Sequence, residues 1–187
     1  KQSPKIIICI LTCNRKELYR TLRTKLRKYS VPNSKILVVD NGSEQVYCKS
    51  DYRYTKTVGI STAKNKCIEI AMEYNPDHLL LFEDDIYPIL KDWYKLYTES
   101  GLHHTQYIFR GRDCSIQEVV GNCVYYTHGR GCLMYMSKEC IQTIGGFDTV
   151  FDPWGFEHLD YSIRAHRANL IPHPWIDIKN SNQYFYS

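Results

Sequence analysis

Residues 78–85 read His-Leu-Leu-Leu-Phe-Glu-Asp-Asp, an apolar run of strand length that ends abruptly in three acids. Continuous rather than alternating apolarity belongs to a strand buried on both faces, as in a parallel sheet with helices on either side. Two runs of the same character precede it, Lys5–Leu11 (KIIICIL) and Lys35–Val39 (KILVV). Between those two, Leu18, Leu22, Leu26 and Tyr29 recur along one helical face. Asn14 and Glu17 are spaced as a capping box at the start of that helix. Strand, helix and strand make a βαβ unit. A second helix is expected from Ser61 to Tyr74, stopped by Asn75-Pro76 before the third strand. Ligands of such sheets bind beyond the carboxyl ends of the strands, where the three acids lie.

The remainder is less regular. Asp92–Glu99, Lys138–Ile144 and Glu157–Ala168 read as helices, Gln106–Arg110 and Gly131–Met136 as strands, and the chain past Pro172 as irregular. Gly145-Gly146 is expected to end the second of these helices. At 187 residues the chain fits one domain with a sizeable core. A formal charge of +4 suits an anionic small molecule such as a nucleotide and is too small to argue for nucleic acid. No apolar run approaches the roughly 20 residues that span a bilayer, and no signal-peptide pattern is present at the start. A start at Lys1 without Met is what a domain cut from a longer polypeptide would show. The eight cysteines lack any C-x-x-C pair and sit in apolar runs. They read as free thiols in a reducing, cytoplasmic compartment rather than as a zinc site or a disulfide framework.

Three features carry chemistry. Glu83-Asp84-Asp85 crowds negative charge at a strand end, and hard divalent cations such as Mn²⁺ or Mg²⁺ prefer carboxylate oxygens and bridge diphosphates; a solvated acidic turn before Pro88 is the plain alternative. Asp40-Asn41-Gly42-Ser43 is a turn after the second strand. Its Asp can also accept a hydrogen bond from a nucleobase or ribose. Glu157, His158 and Asp160 crowd the first turn of a helix, beside Trp154 and Gly155. They offer a general base for a hydroxyl next to an aromatic platform, or simply charges that favour the helix dipole.

In their order and contexts these features resemble the A-type glycosyltransferase fold (GT-A), particularly the family 2 glycosyltransferases, from about Ile6 to His173. The resemblance implies an α/β, Rossmann-like fold with a mixed central sheet flanked by helices. It implies a single domain over 1–187, with a nucleotide-sugar half (1–90) and an acceptor half (91–187). Thr12, Asn14 and Arg15 match a loop that touches the nucleotide, and Asp40 the residue that meets the base. Gly59, Ala63, Lys64 and Asn65 match a Gly-x-x-x-Ala-Arg-Asn helix. Asp85 is then the main metal ligand, with Glu83 and Asp84 beside it and His173 as a further candidate; His128 is a weaker rival. The Gly145-Gly146-Phe147-Asp148 segment and a Gly-x-Glu-Asp-like helix close the acceptor side, with Trp154 and Gly155 as acceptor candidates.

The implied activity is metal-dependent transfer of a sugar, with inversion, from a nucleotide diphosphate to a hydroxyl. A UDP-sugar is the expected donor, and a glycan, lipid-linked or protein molecule the acceptor. Lys64 would neutralise pyrophosphate, or stand solvated on its helix. His158 departs from the Asp that serves as base in many relatives, so Glu157, His158 and Asp160 all stay open for that role. The same departure keeps alive a catalytically silent nucleotide- or glycan-binding module. A nucleotidyltransferase is disfavoured, because the loop Leu11–Arg15 lacks glycine. A basic first helix, with Arg15, Lys16, Arg20, Arg23, Lys25, Arg27 and Lys28, allows peripheral contact with an anionic membrane, although most such charge is a solvated face.

Overall fold

The computed structural model describes residues 5–109, 114–152 and 155–187. In chain order the elements are β1 (Ile6–Thr12), α1 (Lys16–Lys28), β2 (Ser34–Asp40), β3 (Tyr52–Arg53), α2 (Ile60–Met72), β4 (His78–Glu83), β5 (Tyr87–Pro88) and α3 (Lys95–Thr98). They continue with β6 (His104–Gln106), β7 (Ile116–Val120), β8 (Cys123–Tyr126), β9 (Leu133–Ser137), α4 (Lys138–Ile144), α5 (Glu157–Arg167), β10 (Ile176–Ile178) and β11 (Phe185–Tyr186).

The central sheet has six strands in the order β3-β2-β1-β4-β9-β6. β1 pairs in parallel with β2 and with β4, and β9 runs antiparallel against β4. The sheet is therefore mixed and flanked by helices, as the resemblance implies, with the parallel arrangement read from the apolar runs confined to β1, β2, β3 and β4. Alternate residues of β1 feed two different cores. Ile7, Cys9 and Leu11 pack with Ala63 and Cys67 of α2 and Tyr161 of α5. Ile6, Ile8 and Ile10 pack with Leu22 and Leu26 of α1 and with Trp93 and Phe185. Burial on both faces is why these strands carry no polar alternation.

Register fixes the site. Thr12 stands opposite Asp40, and Leu11 opposite Glu83, so three strand ends open on one edge.

Local expectations fared unevenly. Leu18 is 43% exposed, and Tyr19 takes its place on the buried face of α1. The capping box does not form: Arg15 is the N-cap residue, without a side-chain cap bond. Asn14 instead adopts a left-handed φ of 56°. Its amide oxygen accepts from the Glu44 N–H at 2.8 Å. The strand expected at Gln106–Arg110 is β6, ending at Gln106, and Arg110 lies outside the described residues. The β7–β8 hairpin and the tail strands β10 and β11 were not anticipated; β10 adds to β8 and β11 to β5. The eight cysteines are all free, four of them buried. Among the described residues no helix is long and apolar enough to cross a membrane.

Candidate active site

Each wall of the site begins as a strand end. At the end of β1, Thr12 is buried and its hydroxyl donates to Asp84 Oδ2 at 2.7 Å. Arg15 reaches across from the head of α1, with Nη1 3.3 Å from Asp84 Oδ1 and 3.4 Å from Asp85 Oδ2. The Tyr47 hydroxyl ties this corner together, meeting Thr12 Oγ1 at 2.8 Å and accepting from the Arg15 N–H at 3.2 Å. A cavity of about 180 Å³ lies here, lined by Thr12, Arg15, Asn41, Glu83 and Asp84.

Asp40 is placed at this edge but is fully buried. One of its oxygens accepts from the Ser43 N–H and hydroxyl at 2.9 and 2.6 Å. The other accepts from Arg53 Nε at 3.1 Å. As the loop stands, Asp40 organises the turn behind the cavity. Asn41, in turn, bonds both backbone groups of Val58, joining the turn to the entry of α2.

A larger cavity of about 420 Å³ adjoins, lined by Glu83, Asp85, Arg130, Gly155, Glu157 and His158. Beneath it Lys64 is completely buried, with Nζ 2.7 Å from Glu83 Oε1 and 2.8 Å from Glu157 Oε1. Burial would by itself lower this ammonium's pKa, yet the charges of Glu83 and Glu157 hold it well above its ordinary value. For Glu157, burial pushes the other way, but the contacts with His158 and Lys64 hold its carboxyl down at about 2. Its Oε2 is buried with no hydrogen-bond partner among the described residues. The His158 Nδ1 lies 3.4 Å from Glu157 Oε1. The turn that presents this pair is strained at Phe156, whose backbone is left-handed with a φ of 68°, whereas Gly155 before it takes its φ of 50° freely. A bulky residue in that region is costly and is a mark of functional sites.

Not every sequence candidate joins this cavity. Lys64 is not solvated and touches carboxylates from inside the protein. Asp160 is engaged by Arg164 Nε at 2.8 Å. Asn65 clasps the backbone of Phe147, donating to its carbonyl at 2.8 Å and accepting its N–H at 2.7 Å. His173 stacks on Tyr125 with ring centroids 4.8 Å apart, and its Nδ1 accepts the Trp175 N–H at 3.1 Å. His128 lies against Trp175. Trp154 lies outside the described residues. Tyr47, Arg53 and Arg130 were missed in the sequence, since tyrosines and arginines at irregular spacing carry no local signal.

Among the described residues no three histidines, cysteines or acids converge as a ready-made metal centre. The donor chemistry nonetheless suits a hard cation bound partly by its ligand. Asp85 keeps 44% of its side chain exposed at the cavity. Burial raises the pKa of Asp84 despite Arg15 beside it, and burial with the Glu83 charge raises that of Asp85. Among the groups paired here, the carboxylates Glu83, Asp84, Asp85 and Glu157 outnumber the cations Arg15 and Lys64, and a divalent cation would offset the difference.

No protein-family model matches the chain. An uncharacterized glycosyltransferase of Acanthamoeba polyphaga mimivirus is 30% identical over 169 residues, covering 83% of this chain and 62% of the relative. The mannosyltransferase PcManGT from Pyrobaculum calidifontis, solved in complex with GDP-Man and Mn²⁺, superposes with a TM-score of 0.64 at 13% identity, over 87% of this chain and 53% of its own. TarS of S. aureus gives 0.58 at 18% identity, over 84% and 53%. The chain thus spans about three fifths of its curated relative and about half of these solved chains. With three parallel strand ends opening on an acidic edge, and glycosyltransferases as its structural neighbours, this chain has the GT-A glycosyltransferase fold.

Proposed function

We propose that this chain is a metal-dependent glycosyltransferase domain that moves a sugar, with inversion, from a nucleotide diphosphate to a hydroxyl acceptor. The observation that carries the reading is one cavity whose lining joins Glu83 and Asp85 at the end of β4 to Glu157 and His158 at the head of α5. A sugar in that cavity would have diphosphate-binding carboxylates and proton acceptors within the same lining.

In this reading residues 1–90 hold the donor and 91–187 the acceptor. Thr12, Asn14, Arg15 and Asp40 shape the nucleotide end, and a UDP-sugar is the expected donor. GDP-sugars are a fair rival, since PcManGT is described with GDP-Man. Asp85, with Glu83 and Asp84 beside it, would hold Mn²⁺ or Mg²⁺, supplying Lewis-acid stabilisation of the departing diphosphate. Arg15 places a fixed positive charge at the same edge. Attack from the opposite side passes through an oxocarbenium-like state, by the physics shared with glycoside hydrolysis. A group at the head of α5 takes the acceptor proton. Gly155, and Trp154 next to it in sequence, would border the acceptor, a glycan, lipid-linked or protein molecule.

Nucleotide release from UDP- and GDP-sugars, first with Mn²⁺ and then with EDTA, tests this, because slow hydrolysis needs no added acceptor. Release from one donor, abolished by EDTA and lowered on the order of 10²–10³-fold in Asp85→Ala, is expected. If no donor binds or turns over with metal present, the transferase reading fails.

A further inference from the structure

We propose that His158 is the general base of this cavity, aimed by Glu157, which the buried Lys64 holds in place. This rests on the transferase reading above and chooses among its three possible bases. Asp160 drops out on geometry, because Arg164 holds its carboxylate at 2.8 Å and also grips the carbonyls of Ile144 and Gly146. Glu157 lines the cavity but shares one oxygen with Lys64, and with its pKa held at about 2 it has little affinity for a proton at neutral pH. An imidazole is far better matched to that task.

The geometry supplies the rest. Glu157 Oε1 faces both Lys64 Nζ at 2.8 Å and His158 Nδ1 at 3.4 Å. A carboxylate there favours the tautomer with the proton on Nδ1 and leaves Nε2 with its lone pair. Lys64 in turn is fixed at its far side by Glu83 at 2.7 Å and by the Gly131 carbonyl at 3.3 Å. The backbone at Gly131 leaves room for both groups: a Cβ there would stand 3.0 Å from the His158 ring and 3.1 Å from Lys64 Nζ. Lys64 is therefore an internal strut joining the donor wall to the acceptor wall, and it and Glu157 are positioning residues. In the step itself, Nε2 takes the proton of the acceptor hydroxyl as its oxygen bonds to the anomeric carbon. The bond from that carbon to the phosphate oxygen breaks, and its electron pair leaves with the nucleotide diphosphate.

Nucleotide release with water as acceptor is the assay, in the whole chain with Mn²⁺ and a turned-over donor. His158→Ala and the volume-conserving His158→Asn should each slow release on the order of 10²–10⁴-fold with donor KM little changed. Added imidazole should restore part of the His158→Ala rate and leave wild type unaffected. Lys64→Arg should keep more activity than Lys64→Met. Wild-type rates in His158→Ala, a loss that imidazole does not restore, or a greater loss in Glu157→Gln than in His158→Ala each overturn the assignment. Failure of the wild type to release nucleotide from any donor overturns the transferase reading itself, and this inference with it.

Discussion

Asp177 shows how a single side chain sets the pH response of this fold. It is completely buried and accepts from the Ile108 N–H at 2.8 Å, the Ile178 N–H at 2.7 Å and the Ser181 hydroxyl at 2.6 Å. Burial outweighs those donors and raises its pKa to about 7. An unfolded Asp titrates near 3.9, so the folded state binds this proton more tightly. The stability it confers is complete below about pH 4 and lost as pH rises through about 7, on the order of 4 kcal/mol. Glu157 has the opposite sign. Held at about 2, it stabilises above its ordinary value near 4.3 and loses that contribution as pH falls towards 2. Thermal unfolding followed from pH 4 to 8 should therefore show a falling limb that Asp177→Asn flattens; an unchanged slope would refute it. Glu83, Asp84, Asp85 and His158 were legible as candidates because their types and clustering are local facts, and all four line the two cavities at the strand ends. Asp177 was not, since nothing in Ile176-Asp177-Ile178 says that the carboxylate turns inward.

At the scale of elements, α2 shows what local sequence cannot supply. Gly59 is its N-cap residue and offers no side chain. Asp152, distant in the chain, does the capping: Oδ1 accepts the Ser61 N–H at 2.7 Å, and Oδ2 accepts the Thr62 N–H at 3.3 Å and the Thr62 hydroxyl at 2.6 Å. Glycine is needed at 59 because a Cβ there would collide with the Asp152 carboxylate. Asp152→Ala should cost about 1–2 kcal/mol, seen as a Tm lower by roughly 2–8 °C. Gly59→Ala should cost more; wild-type stability in both would show that the long-range cap is idle. Long apolar strands and strongly periodic helices were legible in advance. The capping box at Asn14 and Glu17 failed because the Asn14 amide is used by the Glu44 backbone and its own backbone is left-handed. The β7–β8 hairpin escaped notice because Ile116–Val120 is largely exposed and so lacks a buried alternating face. Tail strands β10 and β11 form only because β8 and β5 offer free edges to short segments.

For the whole molecule, the expected consequence of the site is linkage between ligand and stability. A nucleotide diphosphate with Mn²⁺ at about 100 times its Kd should stabilise the fold by about 2.7 kcal/mol. For a chain of this size that is a Tm rise of roughly 5–11 °C, and Asp85→Ala should lose most of it. Equal shifts with and without Mn²⁺ would instead show that metal and nucleotide bind independently. The sequence by itself determined that buried parallel strands β1, β2 and β4 form the heart of an α/β sheet, that two of them end in acids at Asp40 and Glu83, and that a charged helix head follows late in the chain. Those are consequences of periodicity and residue type, which act over a few neighbours. Only the tertiary structure decided what faces the cavity: that Lys64 is a buried strut, that Asn65 and Asp160 serve packing and helix contacts, and that His173 stacks away on Tyr125. The physical reason is that a side chain's role depends on which distant partner satisfies its charge or hydrogen bonds once water is excluded, and that partner is chosen by the fold.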